Sequence, residues 1–285
     1  MKKFTKIMLI IAGTIAAIGL VCVVAAFAMG LKTSTLLRVI QNGYFSFDER
    51  DLDFNIDSIG DIFNTENGSG NNSNYEVKEN FKDLDVEFGA GVLEVRYADV
   101  PNVQVEENGI KNLKVDVREN ALVIRDNTNI DININVDDLE DRSLVILIPN
   151  GMQFREVDME IGASKADITD ILADEISITV GAGKADISGI TARQFELEVG
   201  AGEATVAQLS VDELDVNAGI GEVNITLNGV QEDYNYSVEC GIGTVVVGEN
   251  SYSGLGAEKS VKYDGATKRI EVECGIGAVN VKFQK

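Results

Sequence analysis

A nineteen-residue period constrains this chain more than any other feature. A short alternating segment runs into Gly-x-Gly, and regular copies begin at Gly162, Gly181, Gly200 and Gly219. Their second glycines are Gly183, Gly202 and Gly221, with Ser164 standing in that place in the first copy. Looser copies carry Gly89 with Gly91, Gly241 with Gly243, and Gly275 with Gly277. Self-similarity at a short fixed period predicts a stacked architecture in which each unit chiefly contacts its neighbours.

Within each copy, the residues one, three and five before the first glycine are apolar or largely so. In two successive copies these are Val180, Ile178 and Ile176, then Val199, Leu197 and Phe195. The residues between them are polar, as with Thr179 and Ser177, then Glu198 and Glu196. A period of two is the pattern of a half-buried strand. Past the glycines the alternation resumes, with Ala185 and Ile187, then Ala204 and Val206, pointing inward. Each unit therefore reads as strand, glycine bend, strand and variable return. The glycines mark bends where the backbone needs permissive dihedrals or close approach.

A size rule runs through the bends. Large residues before the first glycine (Phe88, Ile161, Val180, Val199) are followed after it by Ala, whereas Ala218, Cys240 and Cys274 are followed by Ile220, Ile242 and Ile276. Because interiors are close-packed, this compensation predicts that both positions share one packed site. One unit alone buries too little apolar surface to offset the ordering of its chain, so neighbouring strands must bond about 4.8 Å apart. The expected fold is all-β, a parallel β-solenoid of about 19-residue Gly-x-Gly repeats. A twisted antiparallel roll is the alternative.

The N-terminus is organised differently. Residues 1–6 form a short basic segment, and 7–31 are an uncharged run long enough for a transmembrane helix, which needs about 20 residues. Ala26-Phe27-Ala28 offers a cleavage site, but the run exceeds the apolar stretch of a usual secretory signal. A retained anchor is expected, with residues 1–6 cytoplasmic and the rest extracytoplasmic. Residues 32–74 form a juxtamembrane segment and, from Asn67, a flexible Gly/Ser/Asn linker. Residues 75–150 are expected to form an N-terminal β region or cap, with strands at 113–117, 121–125, 130–136 and 144–148. Residues 151–285 form the regular repeats.

Charge and composition narrow the chemistry. A formal charge of −23 argues against nucleic acid and anionic lipid as partners, since phosphate contacts need clustered Lys and Arg. With no histidine, Ser-His-Asp, Cys-His and histidine-zinc sites are impossible. The outward carboxylates recur evenly, with scattered partners such as Lys165 and Lys184, and no helix follows any Gly-Ala-Gly as a nucleotide loop would require. A non-catalytic protein without a cofactor is expected. Two readings of the acidic columns stay open: a solvated face, or calcium contacts at Glu239 and Glu273, where like charges about 5 Å apart repel by ~0.8 kcal/mol in water. Two readings also stay open for Cys240 and Cys274, which occupy the same place in two copies: free core thiols, or a disulfide. Cys22 follows Val21, which argues against a lipid attachment site.

The segment Val180 to Ile187, its copy Val199 to Val206, and the two Val-Glu-Cys-Gly-Ile-Gly segments are distinctive. Together with Phe81 to Val86 and the Ile148-Pro149 step, they resemble the bacterial putative-adhesin family of membrane-anchored β-strand-repeat envelope proteins, over about residues 78–285. The resemblance implies a cell-envelope protein of a kind common in Gram-positive bacteria, acting as a binding or structural module. It implies a cell-envelope component or membrane protein as partner. Some relatives lie beside envelope stress-response systems, so the alternative is a sensor or regulator acting through a membrane partner.

Overall fold

The computed structural model describes residues 73–126 and 142–285. The expected membrane span, most of the 32–74 segment, Cys22 and the expected strand over 130–136 lie outside them. Among the described residues no helix is long and apolar enough to cross a membrane.

The chain opens with β1 (Ser73–Val77), β2 (Asp83–Ala98), β3 (Val103–Asn108), β4 (Leu113–Arg118), β5 (Ala121–Asp126) and β6 (Ser143–Pro149). Four regular repeats follow as β7 (Phe154–Thr169), β8 (Ala173–Ser188), β9 (Gln194–Leu209) and β10 (Glu213–Asn228). A 3-10 turn at Gln231–Asp233 leads to β11 (Tyr234–Val247), β12 (Asn250–Val261) and β13 (Lys268–Gln284).

The repeats stack parallel and in register. Val180 lies opposite Val199, which lies opposite Ala218; Ile187 and Val206 pair in the same way. This is the coil of a parallel solenoid and not an antiparallel roll. All five inward positions per copy, from Leu84 in β2 to Val281 in β13, are buried, and they form one hydrophobic cluster. The inward parity switches at the glycines: Val180 is buried, Gly181 and Ala182 are exposed, and Gly183 and Ala185 are buried again. The bend thus turns two half-strands so that both present their apolar rows to one core.

The return is more regular than its sequence suggested. Leu172, Thr191 and Ser210 form parallel bridges, and Ile171, Ile190 and Leu209 are buried beneath them. The coils of β7, β8 and β9 therefore each have a short third side. Its turn uses a left-handed residue at Asp170 (φ 59°), Gly189 (φ 67°) and Gln208 (φ 55°).

The packing reading of the size rule is corrected. Ala182 is exposed and Ile220, Ile242 and Ile276 are half-buried, whereas Val180, Ala218, Cys240 and Cys274 are fully buried. From β7 onward the bend places the residue after the first glycine on the outer side of the corner, so there the two positions do not share a site; in β2 the equivalent Ala90 is buried. Ile220, Ile276, Ile242 and Leu255 instead form an in-register aliphatic column on that outer corner, ending at Leu255, which is 59% exposed.

At both ends the order of stacking departs from the order of sequence. The sheet runs β1-β3-β6-β2-β7-β8-β9-β10-β13-β11-β12. The last strand, β13, is inserted between β10 and β11, parallel to both. A tight connection returns β12 antiparallel against the outer edge of β11. That hairpin leaves one parallel slot for β13, whose full apolar row gains a neighbour on each side. β12 is mostly exposed and closes the end, seated by the Tyr236 and Tyr252 hydroxyls at 2.8 Å and by Asn250 donating to Tyr236.

Candidate contact surface

The outward side chains are set by the same alternation that sets the core. In stacking order, the positions two before the glycine read Glu87, Glu160, Thr179, Glu198, Asn217, Glu273 and Glu239, followed by Glu258 on β12. Four before it stand Asp85, Asp158, Ser177, Glu196, Asp215, Glu271 and Ser237. Ser, Thr and Asn interrupt both columns, which leaves acidic runs of two or three, the longest being Glu196-Asp215-Glu271 and Glu273-Glu239-Glu258.

Where two carboxylates do adjoin, the electrostatics show it. Burial, then Asp85 and Glu160, push the Asp158 carboxyl above its usual range. Burial and then Glu271 do the same to Asp215, with Arg269 opposing. Cations sit beside the columns: Arg125 reaches Asp85 at 2.9 Å and Glu87 at 3.4 Å, Arg269 reaches Glu271 at 2.7 Å, and Lys184 reaches Glu203 at 3.4 Å. The arginine pairs lie at the surface, each worth about 0–1 kcal/mol, and the Lys184–Glu203 pair is part-buried.

The structure brings Glu239 and Glu273 into register on β11 and β13, with Glu258 opposite Glu239. Among the described residues no group of three or more acidic, histidine or cysteine side chains is disposed to hold a metal ion. Cys240 and Cys274 also fall in register, both as buried thiols. The glycines Gly91, Gly183, Gly202, Gly221, Gly243 and Gly277 all have φ between 125° and 159°. The first glycines Gly162, Gly181, Gly200, Gly219, Gly241 and Gly275 face the backbone of the corner stacked against them. At Gly89 the amide donates to Asp126 instead.

Sequence reasoning missed an interrupted coil beneath β2. Leu122 and Ile124 of β5 pair with Leu84 and Val86, while Leu144 and Ile146 of β6 pair with Leu93 and Val95. Together β5 and β6 supply the two sides of one coil. In place of Gly-x-Gly stands a buried ion pair, Arg142 with Asp126, their side chains 4% and 1% exposed. Arg142 Nε also donates to the Ala90 carbonyl, and its own carbonyl accepts from the Val92 amide at 2.9 Å. The apolar alternation of both halves was visible; no glycine pair marked the corner. Nearby, Lys114, Asp116, Arg118, Val123 and Arg125 line a shallow depression of about 280 Å³, with Arg118 paired to Asp116 at 2.6 Å.

Residues 192–248, which cover β9, β10 and β11, match the family model described as the N-terminal domain of toast_rack, DUF2154. The putative-adhesin resemblance stands. Among solved structures, a putative cell adhesion protein from Clostridium sporogenes is 18% identical, covers 76% of this chain and 100% of its own, and has a TM-score of 0.46. A putative adhesin from Bacteroides fragilis is 14% identical over 75% of this chain and 96% of its own, with a TM-score of 0.33. No curated protein matches the sequence. The toast_rack match falls on the stretch where sequential coils β9 and β10 give way to the out-of-order end.

Proposed function

We propose that this chain is a non-catalytic, adhesin-like binding or structural module of the bacterial cell envelope. It is held in the cytoplasmic membrane by residues 7–31 and carries its β coils on the outer side. One observation supports the reading above others: the in-register stack repeats the same outward positions from coil to coil, giving continuous hydrophilic strand faces. Such a surface suits an extended polymer or another protein better than a small substrate, which is usually enclosed in a concave pocket.

Photo-crosslinking in living cells, with probes at Glu160, Glu198 and Glu273, tests it. Adducts with wall polymer, a neighbouring cell or an envelope component support the module. One discrete membrane-protein adduct supports the regulator reading instead, and replacing the 7–31 run with an unrelated span should then abolish function. Silence at all three positions would remove the strand faces as the contact surface.

A further inference from the structure

Cys240 and Cys274 lie at one level of the core on adjacent strands. β11 and β13 pair parallel with Cys240 directly opposite Cys274, and the two side chains are 2% and 4% exposed. The two thiols influence each other's ionisation. Neighbouring strands run about 4.8 Å apart, inside the Cα separation of roughly 4.4–6.8 Å that a disulfide spans. Space along the column favours the same contact. Ala218 stands opposite Cys274 on one side and Ala257 opposite Cys240 on the other. Two small residues therefore flank the sulfurs where Val180 and Val199 fill the equivalent sites of earlier coils.

We propose that Cys240 and Cys274 form an intramolecular disulfide that staples the out-of-order strand β13 to β11. The electron acceptor is a disulfide, of a small thiol or of a protein. One cysteine thiolate attacks it, forms a mixed disulfide and releases one thiol. The second cysteine, once deprotonated, attacks the protein sulfur of that mixed disulfide. The Cys240–Cys274 bond forms, the second acceptor thiol leaves, and two protons and two electrons have left the pair.

The surroundings set when this happens. Burial, with Cys240 adding to it, pushes the Cys274 thiol up to about 12, and burial raises Cys240 as well. Thiolate is the nucleophile, so the finished core is unreactive. The bond forms while β13 is docking, and afterwards the core shields it from reductant. The link closes a loop that contains all of β12, the strand that ends the stack. The bond needs an oxidising setting, as the outer side of the membrane provides, but its formation is read on purified protein in a defined redox buffer, so its failure and the failure of the proposed envelope location are distinguishable.

The test is refolding of the full-length chain from denaturant in mixtures of reduced and oxidised glutathione, followed by acid trapping, alkylation and trypsin digestion. Cys240 and Cys274 fall in different tryptic peptides, 194–259 and 270–282. The expected result is these two peptides linked within monomeric protein, lighter by two hydrogens than the sum of the thiol forms. The oxidised protein should also show a urea midpoint raised by roughly 1 M over the reduced one. Cys240→Val, which matches the equivalent residue of two other coils, should fold and lose that difference. Folded protein retaining two thiols, glutathione adducts alone, or links through Cys22 would overturn the proposal. So would an oxidised form that has lost its native β-sheet circular dichroism.

Discussion

At the residue scale the bend decides which side chains are tolerated. A Cβ on Gly221 (φ 143°) would lie 1.8 Å from the Gly202 carbonyl oxygen, and one on Gly277 would lie 1.9 Å from that of Gly221. Neither the dihedral nor the distance can relax without moving the neighbouring coil. Gly221→Ala should therefore cost roughly 3 kcal/mol or more in urea denaturation. At Gly181 the nearest atom, the Gly162 oxygen, is 3.2 Å away, so Gly181→Ala should stay within about 1 kcal/mol. Similar costs for the two would refute the close-approach account. Ser164 occupies the place of a second glycine with a negative φ, and its buried Oγ has no hydrogen-bond partner. Ser164→Ala removes that unpaired hydroxyl, and thermal melting should show a neutral to stabilising effect of up to about 1 kcal/mol.

At the scale of elements, strand ends and edges carry the polar costs. The interrupted coil depends on Asp126 and Arg142, since removal of one partner leaves a buried charge alone. Asp126→Ala should cost about 3–5 kcal/mol, read as faster amide exchange in β5 and β6 ahead of β8 and β9. Asp126→Leu with Arg142→Met should recover much of the loss. Between β10 and β13, Asp215 faces Glu271 and holds its proton more tightly in the folded chain than in the unfolded one. Its contribution to stability is therefore present below the unfolded value of about 3.9 and is lost as pH rises through the higher folded value. Asp215→Asn should melt above the parent at pH 7, and that advantage should vanish near pH 3. A constant advantage at both pH values would refute the coupling.

At the scale of the whole molecule, one register assignment underlies every surface and core statement. Val199 is 1% exposed in the centre of the stack, and Glu198 beside it faces out. Val199→Asp should abolish folding by burying an unpaired carboxylate, while Glu198→Ala should leave the urea midpoint nearly unchanged. The sequence by itself determined this register, because a period of two inside a period of nineteen admits one inward face per strand. It also determined that the coils stack and that the glycines mark their corners, since local sterics and apolar spacing are written into neighbouring residues. Tertiary structure alone decided what depends on distant pairings. Ile220, Ile242 and Ile276 turned to the outside because the bend inverts parity. β5 and β6 combined into one coil through an Arg142–Asp126 contact that no repeat spacing announces. The position of β13 between β10 and β11 was likewise not legible. All the coils share nearly the same apolar row, so sequence made them interchangeable neighbours, and the β11–β12 hairpin left the slot that β13 fills.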